Sequence, residues 1–338
     1  MIYVIKSSTK TKIREKKGRS TLPEIILIIM LSLFFYLSIP IKSSSIVYIP
    51  NGPLKKAFYH LKNISLEATT PTIPIQVNTL DLWILRLMEG LHIWQKPKSG
   101  YIAISIKKHN QIRKGDFLHA LSISKPVYRD ITLIPGETLY FFIRDLARIF
   151  YLKVQDLKQA YNTPYQEAGI IPDTYRFSLG ISAQNLMRYL LQHAHTYYQN
   201  LSIQLLGRYD VKEWQKTLII ASIIQKEAAN ASEMPLISGV IANRLKKGMP
   251  LQMDGSLNYG KYSHTKVTHA RILEDTSDYN TYKHKGLPKV PIGSVGLEAI
   301  KAALFPAKTK FLYFVKTREG THKFSQYYQE HVRSIHSY

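Results

Sequence analysis

The sequence predicts an α+β protein with a single membrane-spanning helix at its amino terminus, followed by two globular parts. Three observations support this. A basic segment precedes the only long uncharged apolar run. Helix-type hydrophobic periodicity then alternates with short β-type runs along the chain. Hydrophobic residues make up 45% of the 338 residues, which is enough for packed cores.

The amino terminus has the pattern of a membrane anchor. Residues 1–21 form a tail rich in Lys and Arg, and the residues from Ile25 to Ile41 carry no charge. We predict a transmembrane helix over 22–41, since this run rises about 26 Å at 1.5 Å per residue. The positive flank would keep the amino terminus in the cytoplasm and place the rest of the chain outside. A cleaved signal peptide is the alternative.

Residues 42–125 are predicted to form a small α+β module. Strands are expected at Ile46–Ile49 and Tyr101–Ser105. Helices are expected at Leu54–Leu61, from the N-cap Asn78 to Met88, and at Asp116–Leu121.

Residues 126–338 are predicted to form a second, mixed α+β domain. Its expected elements are strands at Tyr128–Ile134 and Phe311–Val315, a turn at Pro172–Tyr175, and helices at Leu139–Phe150, Val154–Tyr161, Ala183–Tyr198, Glu213–Ala229 and Ser232–Lys247. The middle of the Glu213–Ala229 helix is apolar on every face, so this helix should be buried.

Composition excludes several functional classes. There are no cysteines, so disulfides, thiolate metal sites and a Cys nucleophile are excluded. The net charge of +23 suggests a polyanionic neighbour, but the sequence has no nucleic-acid-reading motif. The histidines lack metal-ligand spacing, and His322 and His331 are expected to pack or to face solvent. We predict no metal, no cofactor and no nucleic-acid partner.

Glu227 is the candidate catalytic residue. It shares one face of its helix with Ile220, Ile223 and Ile224. A carboxyl on an apolar face loses solvation, which raises its pKa toward the range needed by a general acid at neutral pH. The alternative is a structural carboxylate paired with a lysine or with backbone amides.

Polar loop residues could recognise a sugar. Gln252 and Asp254 follow a tight turn, and Asn280 and Tyr282 precede another. Amides hydrogen-bond hydroxyl and acetamido groups, and aromatic rings cover the apolar faces of sugars. They are also ordinary loop residues.

Several motifs occur in a family order. They are EAGIIPDTY (167–175), ASIIQKEA (221–228), VIANRLKKGMPLQMDGSLNYG (240–260), YNTYKHKGLP (279–288), KAALFPAKTKFLYFV (301–315) and GTHKF (320–324). Together they resemble the YceG-like endolytic murein transglycosylases (MltG). The resemblance is strong over about 125–335. It is weaker over 45–125, where the family has a LysM-like subdomain.

The resemblance implies an enzyme that cleaves the MurNAc–GlcNAc bonds of nascent peptidoglycan without water, with Glu227 as its catalytic residue. It implies action outside the bacterial cytoplasmic membrane, termination of strand growth, and association with penicillin-binding synthases. Gln252, Asp254, Asn280 and Tyr282 are expected in the cleft, with Glu233 and Asn243 supporting it. The chain departs from the family pattern at Gln225, where the family has an acid, and at Gly255, where it usually has Pro.

Three other functions stay open on the sequence alone. A water-using muramidase could use the same site, with Asp254 or Glu233 as a second acid. A noncatalytic wall-binding scaffold would need no acid at all. A membrane-tethered nucleic-acid binder would rest on charge only.

Overall fold

The computed structural model describes residues 22–50, 52–62, 75–106, 110–123 and 125–337. The predicted basic tail, residues 1–21, lies outside these residues. The chain divides into two compact units, Met1–Lys125 and Pro126–Tyr338. Both contain helices and strands, in agreement with the predicted α+β class.

The helix predicted over 22–41 ends three residues earlier in the structure. Helix α1 covers Leu22–Ser38, 17 residues, and has no buried residue. Strand β1 begins at Pro40, whose ring disfavours helical backbone in the residue before it. Among the described residues, no helix combines the length and apolarity needed to cross a membrane.

The amino-terminal unit is built on two small antiparallel sheets. Strand β1 (Pro40–Lys42) pairs with β4 (Gln111–Arg113), and β2 (Ile46–Ile49) pairs with β3 (Gly100–Ala103). Its other helices are α2 (Leu54–Lys62), α3 (Thr79–Gly90) and α4 (Lys114–Ile123). The order β2-α2-α3-β3 makes a two-strand, two-helix motif with its own apolar core.

A buried polar cluster joins the end of α1 to α3 and α4. The Tyr36 hydroxyl lies 2.8 Å from Asp81 Oδ1, and Lys114 Nζ lies 3.4 Å from Asp81 Oδ2. Asp81 also completes a capping box with Asn78 at the start of α3. This cluster fixes the position of α1 on its unit, because a buried carboxylate is stable only with such partners.

The carboxy-terminal unit contains eight more helices among the residues the structure describes. They are α5 (Leu139–Phe150), α6 (Val154–Ala160), α7 (Ala183–Leu206), α8 (Val211–Glu227), α9 (Met234–Lys246), α10 (His269–Glu274), α11 (Leu297–Leu304) and α12 (Tyr328–Ser337). Helix α8 packs on α9 and α11. Its side chains Trp214, Leu218, Ile223 and Ile224 are at most 1% exposed, as the apolar pattern predicts for a buried helix.

Two two-stranded sheets complete this unit. Strand β5 (Tyr128–Thr132) pairs with β6 (Thr174–Ser178), and β7 (Tyr313–Lys316) pairs with β8 (His322–Ser325), both antiparallel. The predicted turn at Pro172–Tyr175 is therefore wrong at its end, since Thr174 and Tyr175 belong to β6. Tyr175 and Phe177 face the interior, and their burial against the core outweighs the local turn signal.

Candidate active site

Glu227 is the last residue of α8. The helix starts at the N-cap Asp210, whose side chain accepts a hydrogen bond from the backbone N–H of Glu213. It ends because Ala228 takes an extended conformation (φ −67°, ψ 132°). The core of the unit therefore holds the helix rigidly and presents the Glu227 carboxyl at its end.

The surroundings of Glu227 favour its protonated form. The pKa of Glu227 is raised to about 7. Burial is the largest cause and raises the pKa, a hydrogen bond from the backbone N–H of Gly255 lowers it, and the negative charge of Asp254 raises it. The Gly255 nitrogen lies 2.6 Å from Glu227 Oε1. Within the described part of the chain Glu227 forms no ion pair; the neighbouring Lys226 instead donates to Ser263 Oγ at 2.7 Å.

Glu227 lines a cleft of about 670 Å³. The walls come from the end of α8, the loop 251–258, the β7–β8 hairpin and α12. Its aromatic lining consists of Tyr282, Tyr313, Phe314 and Tyr328. Aromatic rings beside a carboxyl with a raised pKa suit a carbohydrate, whose ring carries apolar C–H faces and polar edges.

Three predicted cleft residues line the cleft together with Glu227. These are Gln252, Asp254 and Tyr282. The Tyr282 hydroxyl donates to Asp254 Oδ1 at 2.6 Å. The Thr281 hydroxyl accepts from the Met253 N–H at 3.0 Å, which joins the two loops. Gln252 has a φ of 48°, a left-handed conformation that is uncommon for a residue with a side chain.

Asn280 and Asn243 do not line the cleft. Asn280 is fully buried, where its amide donates to the carbonyls of Ile272 and Asp275 and its oxygen accepts from the Tyr282 N–H. Asn243 donates to the carbonyls of Thr309 and Phe311. Both side chains satisfy loop backbone groups, so they shape the cleft walls from behind.

Glu233 is buried behind the cleft. Its Oε1 accepts from the backbone N–H of His322 at 2.7 Å, and its Oε2 lies 2.8 Å from His322 Nδ1. Burial alone would raise the pKa of Glu233, but the hydrogen bonds from His322 lower it below its usual value. Glu233 is thus an ionised carboxylate that contacts the cleft residue His322 and does not itself line the cleft.

Sequence reasoning missed several cleft residues. Arg244, a buried side chain, donates to the carbonyls of Leu251 and Leu312 and lies over the ring of Tyr313. His322 and His331, expected to pack or face solvent, both line the cleft. Two of these residues could have been found from the family motifs. Arg244 lies in the segment 240–260, directly after Asn243, and His322 lies in the segment GTHKF. Nowhere in the described residues could three or more His, Asp or Glu side chains hold a metal.

Comparison with known proteins places this site in a family. The sequence profile of the YceG-like family matches residues 88–337. A protein of Bacillus subtilis named endolytic murein transglycosylase is 32% identical over 173 residues, which cover 51% of this chain and 48% of that protein. Two Streptococcus pneumoniae proteins of the same name, from strains D39 and R6, are 36% identical over 124 residues, or 35% of this chain and 22% of each relative.

The matched part of the chain spans about half of the Bacillus relative and less of the Streptococcus relatives. A crystal structure of a yceG-like protein from Listeria monocytogenes superposes with a TM-score of 0.55 at 22% identity, covering 85% of this chain and 97% of that chain. This likeness supports the α+β fold. Since the family profile covers most of the sequence, the chain belongs to the YceG-like family.

Proposed function

We propose that this chain is a peptidoglycan lytic transglycosylase with Glu227 as its catalytic acid and base. The observation that carries the proposal is the Glu227 carboxyl itself: burial raises its pKa to about 7, and it faces a cleft lined by aromatic rings. The names of the Bacillus and Streptococcus relatives support the reaction class.

The reaction needs one carboxyl in two protonation states. Glu227 donates its proton to the glycosidic oxygen as the bond from that oxygen to C1 of MurNAc breaks. The Glu227 carboxylate then takes the proton of the MurNAc C6 hydroxyl, and O6 bonds to C1 to close a 1,6-anhydro ring. No water is consumed, and Glu227 ends the cycle protonated.

Digestion of purified glycan strands with end-group mass spectrometry tests this proposal. Wild type should release 1,6-anhydroMurNAc ends, and Glu227→Gln should lower the rate by about 10²-fold or more. Glu298→Gln is the matched control, because Glu298 is an exposed residue whose ion pair is with Lys301. Intact strands with both wild type and Glu227→Gln, bound by both, would support a noncatalytic scaffold instead.

A water-using muramidase is the second candidate, and Asp254 favours it. Asp254 lines the same cleft and its charge contributes to the raised pKa of Glu227. Hydrolysis needs such a second carboxylate to activate water. Reducing MurNAc ends in the wild-type digest, lost in Asp254→Asn, would establish this reaction and exclude the anhydro product.

The proposal also covers where the protein lies in the cell and which proteins it associates with. We place the protein at the outer side of the bacterial cytoplasmic membrane, because α1 exposes large apolar side chains along its length, among them Ile28 and Phe34. Full-length protein should sediment with membranes, and Ile28→Lys with Phe34→Lys should release it.

The order β2-α2-α3-β3 supports a LysM-like amino-terminal unit. Termination of nascent strands beside a penicillin-binding synthase completes the proposal, testable by cross-linking.

A further inference from the structure

The tautomer of His322 is fixed by a buried carboxylate. Glu233 Oε2 lies 2.8 Å from His322 Nδ1, and both side chains are less than 10% exposed. An ionised carboxylate only accepts hydrogen bonds, so Nδ1 must carry the hydrogen. In the neutral ring Nε2 is then a hydrogen-bond acceptor.

Glu233 also ties this imidazole to the segment that follows Glu227. Its Oε1 accepts from the His322 N–H at 2.7 Å, and its Oε2 accepts from the Ala229 N–H at 3.4 Å. Ala229 and His322 line the same cleft as Glu227. One buried side chain therefore sets the position of β8 relative to the end of α8.

The second nitrogen of His322 is available to a ligand. Across the described residues, Nε2 has no hydrogen-bond partner, and it is not among the polar atoms that are buried without one. Nε2 is therefore not enclosed by protein, and His322 is one of the residues that line the cleft. A residue that served only to attach β8 would need Nδ1 and the backbone N–H, and its Nε2 could be covered by protein.

We propose that His322 is a positioning residue whose Nε2 accepts a hydrogen bond from a hydroxyl or acetamido N–H of the sugar bound beside Glu227. This inference rests on the proposed function of the cleft. The sugar would supply a hydrogen-bond donor to Nε2, which has no partner among the described residues. Glu233 acts through His322 by holding the ring in the accepting tautomer, in the way that outer carboxylates orient histidines elsewhere.

Two substitutions separate the two nitrogens of the ring. His322→Asn places an amide nitrogen near the Nδ1 position, so it keeps the link to Glu233 and lacks Nε2. His322→Gln places its amide near the Nε2 position and loses that link. We expect His322→Asn to lower kcat/KM on purified glycan strands about tenfold, and to lower the melting temperature less than His322→Gln does. His322→Gln should melt earlier and retain more activity per folded molecule.

His336→Asn is the matched control, because His336 is exposed on α12. Full activity of His322→Asn, beside an inactive Glu227→Gln, would overturn the positioning role and leave the proposed function standing. Loss of both activity and folding in His322→Asn would assign the ring a structural role only.

Nitrogen NMR of the imidazole tests the inference without turnover. In the Glu227→Gln variant, the His322 spectrum should show the hydrogen on Nδ1, and adding purified glycan strands should shift the Nε2 signal. Glu233→Gln should reverse the tautomer, because its amide can donate to Nδ1. An Nε2 signal that does not move while the strands bind would contradict the proposal, whether or not wild type cleaves them.

Discussion

The end of α8 and the start of α9 each carry a glutamate withdrawn from solvent, Glu227 in part and Glu233 almost fully, and the pKa values of the two are shifted in opposite directions. Among the residues that the structure describes, Glu227 receives one hydrogen bond, from Gly255, and its pKa is raised to about 7. Glu233 receives three, from Ala229 and His322, and its pKa is lowered. Burial alone therefore does not make a general acid. The number of hydrogen-bond donors around each carboxyl decides whether it carries a proton or stays an anion.

Removal of the Glu233 carboxylate should have the largest effect on folding. Glu233→Ala leaves two backbone N–H groups and His322 Nδ1 without their acceptor, so the free energy of unfolding should fall by about 2–4 kcal/mol. Urea denaturation at pH 7 measures this. Glu298→Ala, at an exposed ion pair, should change it by less than about 1 kcal/mol. Equal effects of the two substitutions would show that the hydrogen bonds of Glu233 do not stabilise the fold.

The two glutamates should affect the pH dependence of the unfolding free energy in opposite directions. Because the pKa of Glu227 is about 7 in the folded protein and the ordinary value for a glutamate is 4.5, the folded protein binds the extra proton between these values. Stability should therefore fall as pH rises from about 4.5 to 7, by up to about 3 kcal/mol, and Glu227→Gln should lack this loss. Glu233 should act in the opposite direction, with its stabilisation lost on acidification. Parallel curves for wild type and Glu227→Gln would contradict the raised pKa.

Gly255 should tolerate no side chain. A Cβ there would lie 2.7 Å from the Cβ of Lys226 and 2.8 Å from Glu227 Oε1. Gly255→Ala should cost about 1–3 kcal/mol and lower activity roughly 10- to 100-fold by displacing the carboxyl. In the control Gly90→Ala nothing lies within 4 Å of the new Cβ, so stability should hold. Wild-type activity of Gly255→Ala would show that Glu227 tolerates movement.

Gln225→Glu should have the smallest effect. The Gln225 side-chain oxygen accepts from the Gly296 N–H at 3.1 Å, and a glutamate oxygen can do the same. We expect a change in unfolding free energy below about 0.5 kcal/mol. Gln225→Leu, which removes the acceptor, should cost about 1–3 kcal/mol. A large loss with Gln225→Glu would mean that a second charge near Glu227 is not tolerated.

Sequence patterns predict best those features that local residues determine. Apolar residues on every face predict the buried helix that carries Glu227, and Asn78 predicts the start of α3 through its capping geometry. Strand β6 escapes prediction because its partner β5 lies some forty residues away, and the local PDTY pattern is typical of a turn. The predicted membrane helix is too long, because the pairing of β1 with β4 is not visible in the apolar run.

The site can be predicted in part for the same reason. Gln252, Asp254 and Tyr282 follow from polar loop composition, but their mutual contacts depend on folding across 28 positions. The pair of Glu233 with His322 joins residues 89 positions apart, which no spacing rule reveals. In the sequence Gly255 is only a departure from the family, whereas its N–H is the group that contacts Glu227, and a proline there could not donate it.

Direct titration of the Glu227 carboxyl decides whether its pKa is raised in the folded protein. Carbon NMR of the glutamate side chains, with Glu227 assigned by comparison with Glu227→Gln, gives its midpoint in the folded protein. We predict a midpoint near pH 7, so that the carboxyl holds its proton when a strand enters the cleft. A midpoint near 4.5 would show an ordinary ionised glutamate and contradict the account.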